Sequence, residues 1–220
     1  MRITEHYRNF TRNMYDSYLA IRKAIGILGM SLPLIVIGLG ALVHQQVADS
    51  LSGYYYTSIR DVFESFLFAS GLLLIVYQGN NKLDKYLTTA AGILAIGVVT
   101  FPTEPASTTP ICEGVTTTGI FELPFHVSRW FHIASAISFF VVMAIVCLFR
   151  FTKHQDNAPE ERKRLDFRYK VCGFFILVGA TVTFTFKLFF PECMKFYPVL
   201  VAEAVSLAAI GYGWFLKGNK

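Results

Sequence analysis

Asp61, Glu64, Ser65, His132, Lys187 and Glu203 each stand at the edge of, or inside, a long apolar run of the chain. Carboxylates, an imidazole and an ammonium group are the side chains that move protons or fix polar ligands. These six, with the Tyr55 phenol beside the first of them, therefore form the candidate site. Asp61, Glu64 and Ser65 are three and four residues apart, which puts them on one face of a helix. Glu203 lies roughly 9 Å into the last apolar run, counted from Tyr197 at the helical rise. A lone carboxylate at that depth in lipid costs at least ~2.5 kcal/mol, so Glu203 must be paired, protonated or wetted. Lys187 is the nearest cation in sequence. A purely structural ion pair between the two is the plain alternative to a binding or catalytic role. His132 shares a helical stripe with Ser128 and Ser135, where a hydrogen bond to a neighbour is the plain reading and metal ligation the other.

Such residues need a scaffold, and the composition says which kind. Of 220 residues 54% are apolar and only 16% are charged, with a mean hydropathy of +0.47. A soluble domain carries about a quarter charged residues. The apolar residues fall into six blocks near the ~20-residue length that a bilayer core demands. They are Ala24–His44, Asp61–Gln78, Leu87–Thr103, Arg129–Phe151, Val171–Phe190 and Tyr197–Leu216. The expected fold is all-α, a polytopic six-transmembrane-helix bundle forming a single membrane domain over 1–220. Pro33 is expected to bend the first span and Pro102 to end the third. No cleaved signal peptide is expected, because the first apolar run is of full length.

Ahead of the spans, Tyr7, Phe10, Met14, Tyr18 and Ile21 make one helical stripe with Arg8, Arg12 and Arg22 outside it. Residues 1–23 thus read as an interfacial amphipathic segment, or alternatively as a packed surface helix. Tyr54, Tyr55 and Tyr56 stand at the mouth of the second span, as interfacial tyrosines do. Lys and Arg concentrate in the N-terminal segment, in 153–170, at Lys82 and Lys85, and in the tail. All of these lie on one side if the span count is even, which places both termini in the cytoplasm and the 104–128 loop outside. The net charge of +5 is consumed by this asymmetry, so no nucleic-acid partner is expected. Cys147 and Cys172 fall within spans as small apolar groups. Cys112 and Cys193 fall in two outer loops, where an oxidising exterior would be expected to pair them as a disulfide. No CxxC or HxxxH spacing accompanies them, so no metal site is assigned.

The stretch Gly53-Tyr-Tyr-Tyr-Thr-x-x-Arg60-Asp-Val-Phe63, with Phe101-Pro-Thr103 and Trp214-Phe-Leu-Lys-Gly218, resembles an uncharacterised family of six-span bacterial inner-membrane proteins. The resemblance covers most of the chain and implies the fold and the inner membrane, but no chemistry. Asp61, Ser65 and His132 also resemble the polar set of the ceramidase and progestin-receptor-like membrane hydrolases. There the last span carries a His-x-x-x-His pair; here it offers Glu203 and no histidine.

The charged groups all belong to the outer halves of the spans, and that asymmetry points to an outward-facing polar pocket. The reading is an integral membrane protein binding a lipid-like or small polar ligand through Tyr55, Asp61, Glu64, Ser65, His132, Lys187 and Glu203. The first alternative is a membrane-embedded hydrolase of lipid amides or esters. In it Asp61 or Glu203 would act as general base and His132 would activate water. The second alternative is a subunit of an oligomeric pore built from further copies of the chain. Membrane lipid is the expected partner, and no cofactor is assigned.

Overall fold

In a computed structural model, residues 2–44, 47–105, 115–152, 159–190 and 197–219 are described. Six helices account for most of them: α1 (Arg2–His44), α2 (Arg60–Val76), α3 (Lys82–Thr100), α4 (Phe125–Ile145), α5 (Glu160–Phe189) and α6 (Pro198–Gly218). A π-helical turn, Val146–Arg150, prolongs α4, and a 3₁₀ turn, Ser52–Tyr56, precedes α2. Two short strands, β1 (Thr117–Thr118) and β2 (Leu123–Pro124), pair antiparallel.

Each helix packs on its neighbours in sequence, and α6 returns against α1 to close a ring. The end holding 47–59 and 115–124 is called the cap end; the end holding the 77–81 turn and Lys217 is the tail end. Helix α6 is the most buried of the long apolar helices. Close approach makes this possible: a Cβ on Gly211 would stand 2.5 Å from Met30 N and 2.6 Å from Gly26 O. Small residues at such a crossing let backbones touch, which is how apolar helices associate when no water drives them together. The outward faces stay apolar, with Leu72, Ile93, Phe149, Phe174, Val201 and Tyr212 all at least 40% exposed. An apolar surface of that extent needs lipid or protein against it.

Five helices are long and apolar enough to cross a membrane. The sixth, α2, has 17 residues, about 25 Å at the helical rise against a core of about 30 Å. The amphipathic stretch ahead of the first span is helical and continuous with that span. Residues 2–44 make one 43-residue helix that runs through Pro33, about 64 Å long and so far longer than a bilayer core. Two other helices also start earlier than hydropathy suggests. In α3 the Asn81 side chain accepts from Asp84 N at 3.0 Å and caps the first turn. Helix α5 carries the polar 160–170 segment as its first turns.

The tail end is closed by polar contacts that the sequence reading did not anticipate. The Arg22 guanidinium donates to the hydroxyls of Tyr77 (3.0 Å) and Tyr18 (2.8 Å), to Asn80 Oδ1 (3.2 Å) and to the Lys217 carbonyl (3.2 Å). That carbonyl ends α6, where a cation is favoured by the helix dipole. Beside it, Arg150 joins the π-helical turn to α3 through Asp84 at 2.6 Å and Asn81 at 3.0 Å.

Candidate functional site at the cap end

The site begins with the way α3 stops. Its last helical residue is Thr100, and the chain leaves through Phe101 in extended conformation, so the final carbonyls lack helical partners. Helix α4 supplies them. His132 Nδ1 lies 2.8 Å from Phe101 O and 3.2 Å from Val98 O, and Ser128 Oγ donates to Pro102 O at 2.7 Å. Tyr56 donates its hydroxyl to Thr103 O at 2.6 Å. Carbonyls only accept, so Nδ1 carries the hydrogen and Nε2 holds the lone pair. Nε2 has no hydrogen-bond partner among the described residues.

Across the ring interior, α5 and α6 bring Lys187 and Glu203 together at 3.0 Å. The second carboxylate oxygen accepts from Leu51 N at 2.8 Å, and Lys187 Nζ also reaches Ser52 Oγ at 3.3 Å. Glu203 is thus paired and hydrogen-bonded, as its depth requires. Between this pair and His132 lies a cavity of about 40 Å³, with Ser52, His132 and Glu203 as its polar wall and Phe63, Phe139 and Leu207 among its apolar one. Space of that size holds one or two waters, or the polar end of a ligand.

The remaining predicted site residues are not part of this cluster. Helix α2 turns Phe63, Leu67, Gly71 and Leu74 to the interior, which leaves Asp61 and Ser65 exposed on the opposite side. Glu64 pairs with Arg60 at 2.9 Å on the same outer rim. The three do share a region of the helix, but apolar packing claims the inward face. Tyr55 is buried beneath the Arg60 guanidinium, 4.3 Å from its ring centre, and does not line the cavity. Tyr54 fills the space above Gly40, so the tyrosines lock the 52–56 turn onto the bundle. Burial pushes the Tyr56 hydroxyl above its ordinary pKa, keeping it a neutral donor.

Ser52, the Leu51 amide and Thr183 belong to the neighbourhood but were not singled out from sequence. For Thr183 a signal existed, since it lies four residues before Lys187 on one helical face. No group of three or more His, Cys, Asp or Glu that could hold a metal occurs among the described residues. Cys147 and Cys172 are buried free thiols within helices. Cys112 and Cys193, the expected disulfide, lie outside the described residues.

Fold and site together define an all-α bundle with the make-up of a membrane protein and a buried polar cluster at one end. No family model matches the chain, and neither does any curated protein or solved structure.

Proposed function

We propose that the chain is a six-span membrane protein whose cap end faces outward and whose interior cavity binds a small polar group or the head of a lipid-like ligand. The observation that carries this reading is His132. Its Nδ1 is fixed by α3, and its Nε2 lone pair is left without a partner on a residue lining the cavity. An acceptor of this kind on a residue that lines a cavity can take a hydrogen bond from a ligand or a water there. The Lys187–Glu203 pair supplies complementary charge at the same level. Inward orientation of the termini is supported by Arg22, Lys82, Lys85, Arg150 and Lys217 at the tail end.

A hydrolase has less to support it. Both Glu203 oxygens are engaged, and Asp61 stands on the exposed side of α2. His132→Asn tests the binding reading, since asparagine can keep the donor to Phe101 O and lacks Nε2. Protein purified in mild detergent and extracted for mass spectrometry is expected to release a ligand in near-stoichiometric amount. The variant is expected to fold and release little. Equal retention by both proteins would remove His132 from the site. Orientation is checked by impermeant thiol labelling of intact cells, expected at Ile120→Cys and not at Lys82→Cys.

A further inference from the structure

The hairpin at the cap end carries residues foreign to a turn in water. Its turn, Gly119–Glu122, is closed by Glu122 N donating to Gly119 O at 3.2 Å. The two central positions are Ile120 and Phe121, which are 75% and 59% exposed. Such positions ordinarily go to Pro, Asp, Asn, Ser or Gly. The chain just before the turn is polar, with Thr116, Thr117 and Thr118 ahead of Gly119. The turn is nevertheless held in place. A Cβ on Gly119 would stand 2.9 Å from Pro102 Cδ and 3.1 Å from Thr100 O, and the Phe121 ring stacks on Phe101 at 5.8 Å.

The height of this turn along the bundle follows from two counts. Arg150 bonds Asp84 at 2.6 Å and Asn81 at 3.0 Å, so the π-helical turn and the start of α3 share one level. A hydrocarbon core of about 30 Å takes up about 20 residues of helix. Counted along α3 from Asn81, that length ends at Phe101; counted back along α4 from Arg150, it ends at Trp130. The two counts meet, because Phe101 stacks on Phe131 at 5.0 Å as well as on Phe121. Trp130 and Phe131 are themselves 60% and 52% exposed. Phe101, Phe121, Trp130 and Phe131 thus form an aromatic collar where α3 and α4 leave the core, the depth that such rings favour.

We propose that this hairpin dips into the membrane: Ile120 and Phe121 enter the headgroup–acyl boundary of the leaflet at the cap end, while Thr116 and Thr117 stay on the water side. The occupant is lipid and not a second protein, because the tip stands level with the core boundary and prolongs the exposed apolar side of α4. The contact is apolar and calls for no anionic headgroup, since Arg129, the nearest cation in sequence, is paired with Glu104 at 3.2 Å. This rests on the membrane-spanning reading proposed above, and not on His132 or its ligand.

Introduced tryptophans report the depth. Ile120→Trp, Phe121→Trp, Thr117→Trp and Ile93→Trp are made in a Trp130→Phe background, where the buried Trp214 adds a constant signal. Each protein is placed in phosphatidylcholine bilayers brominated either near the glycerol or near the bilayer centre, and each is titrated with aqueous iodide. Positions 120 and 121 are expected to be shielded from iodide and quenched about twofold more by the shallow bromines, as for side chains about 5–10 Å into the headgroup–acyl boundary. Thr117→Trp should answer to iodide. Ile93→Trp, midway along α3 and on its exposed side, should answer to the deep bromines. A thiol at the tip's depth is still open to its own side, so Ile120→Cys should label as stated above, but several-fold more slowly than Glu122→Cys. Iodide quenching at 120 and 121, with deep-bromine quenching at 93, leaves the bundle in the bilayer and overturns the tip. Protection of 120 and 121 from both quenchers means that protein covers them and overturns it too, as does equal shallow quenching at 117 and 120. If iodide reaches 93 as well, the membrane-spanning reading fails and the tip falls with it.

Discussion

The ion pair between Lys187 and Glu203 admits a quantitative test. Its side chains are 15% and 9% exposed, its contact is 3.0 Å, and no other carboxylate bonds Lys187 among the described residues. Removing one member of a buried pair costs about 3–5 kcal/mol, because the other charge stays behind without compensation. Glu203→Gln keeps an acceptor for Leu51 N and leaves Lys187 with Ser52 Oγ, so its cost falls at the lower end, about 3 kcal/mol. Lys187→Met strands the better-buried carboxylate and should cost at least as much. In the double variant both charges leave together, and the loss should shrink to about 1 kcal/mol. Reversible unfolding by SDS in mixed micelles, followed by circular dichroism, measures all four proteins. The cycle should show a coupling above about 2 kcal/mol. Single variants within about 1 kcal/mol of wild type, or additive losses, would mean that the pair is wetted like a surface pair, and its burial would be refuted.

Arg22→Ala removes four hydrogen bonds, three of which tie α1 to α6 and to the 77–81 turn. It should destabilise the bundle by about 2–4 kcal/mol in the same assay, with Arg22→Lys intermediate. Gly211→Ala drives a Cβ into the backbone of Met30 and Gly26, whereas a Cβ on Gly38 meets nothing within 4 Å. The first should lose more than about 2 kcal/mol and the second should be near neutral. Asp49, in the 47–51 segment, has its carboxyl pKa raised above 3.8 by burial. The raised value means that the fold favours the protonated form. Stability should therefore fall as pH rises from about 3.8 through the folded-state pKa. Asp49→Asn should stabilise at pH 7 and lose that advantage below this window, as a pair of unfolding curves at two pH values will show.

Much of the helix plan was legible because apolar block length is a direct physical requirement. Glu203 was legible for the same reason, since an interior carboxylate must find a partner, and Lys187 was the nearest cation. The facing of α2 was not. Asp61 and Ser65 suggested an inward polar face, but Phe63, Leu67, Gly71 and Leu74 form a competing apolar face on the same helix. Which of two faces turns inward depends on tertiary packing. The amphipathic 5–22 stripe likewise said nothing of whether it bends away from the first span. Its continuity with α1 follows from Arg22 meeting Tyr77 and Asn80, partners more than 50 residues away.

The two ends of the bundle spend their polar groups differently, and that contrast bears on function. At the tail end Arg22 meets four acceptors, and Arg150 is bonded to both Asp84 and Asn81. The Tyr169 hydroxyl and Trp214 Nε1 lack hydrogen-bond partners there among the described residues. Both rings, however, pack steeply on Phe151, at 61° and 81°, so their edges lie among aromatic faces. At the cap end His132 lines a cavity, while the hydroxyls of Tyr54 and Thr183 are buried without hydrogen-bond partners among the described residues. His132 Nε2 and the last Lys187 N–H belong to residues whose other polar contacts are already made, and the Thr183 hydroxyl has made none. Stability alone gives no reason to bury Thr183 where valine would pack as well and leave no hydroxyl unpaired. If the hydroxyl is only a structural cost, Thr183→Val should raise stability by about 1 kcal/mol and change no binding measurement. If it is a ligand contact, the same variant should gain stability and lose affinity together. Measuring both on one protein separates the two.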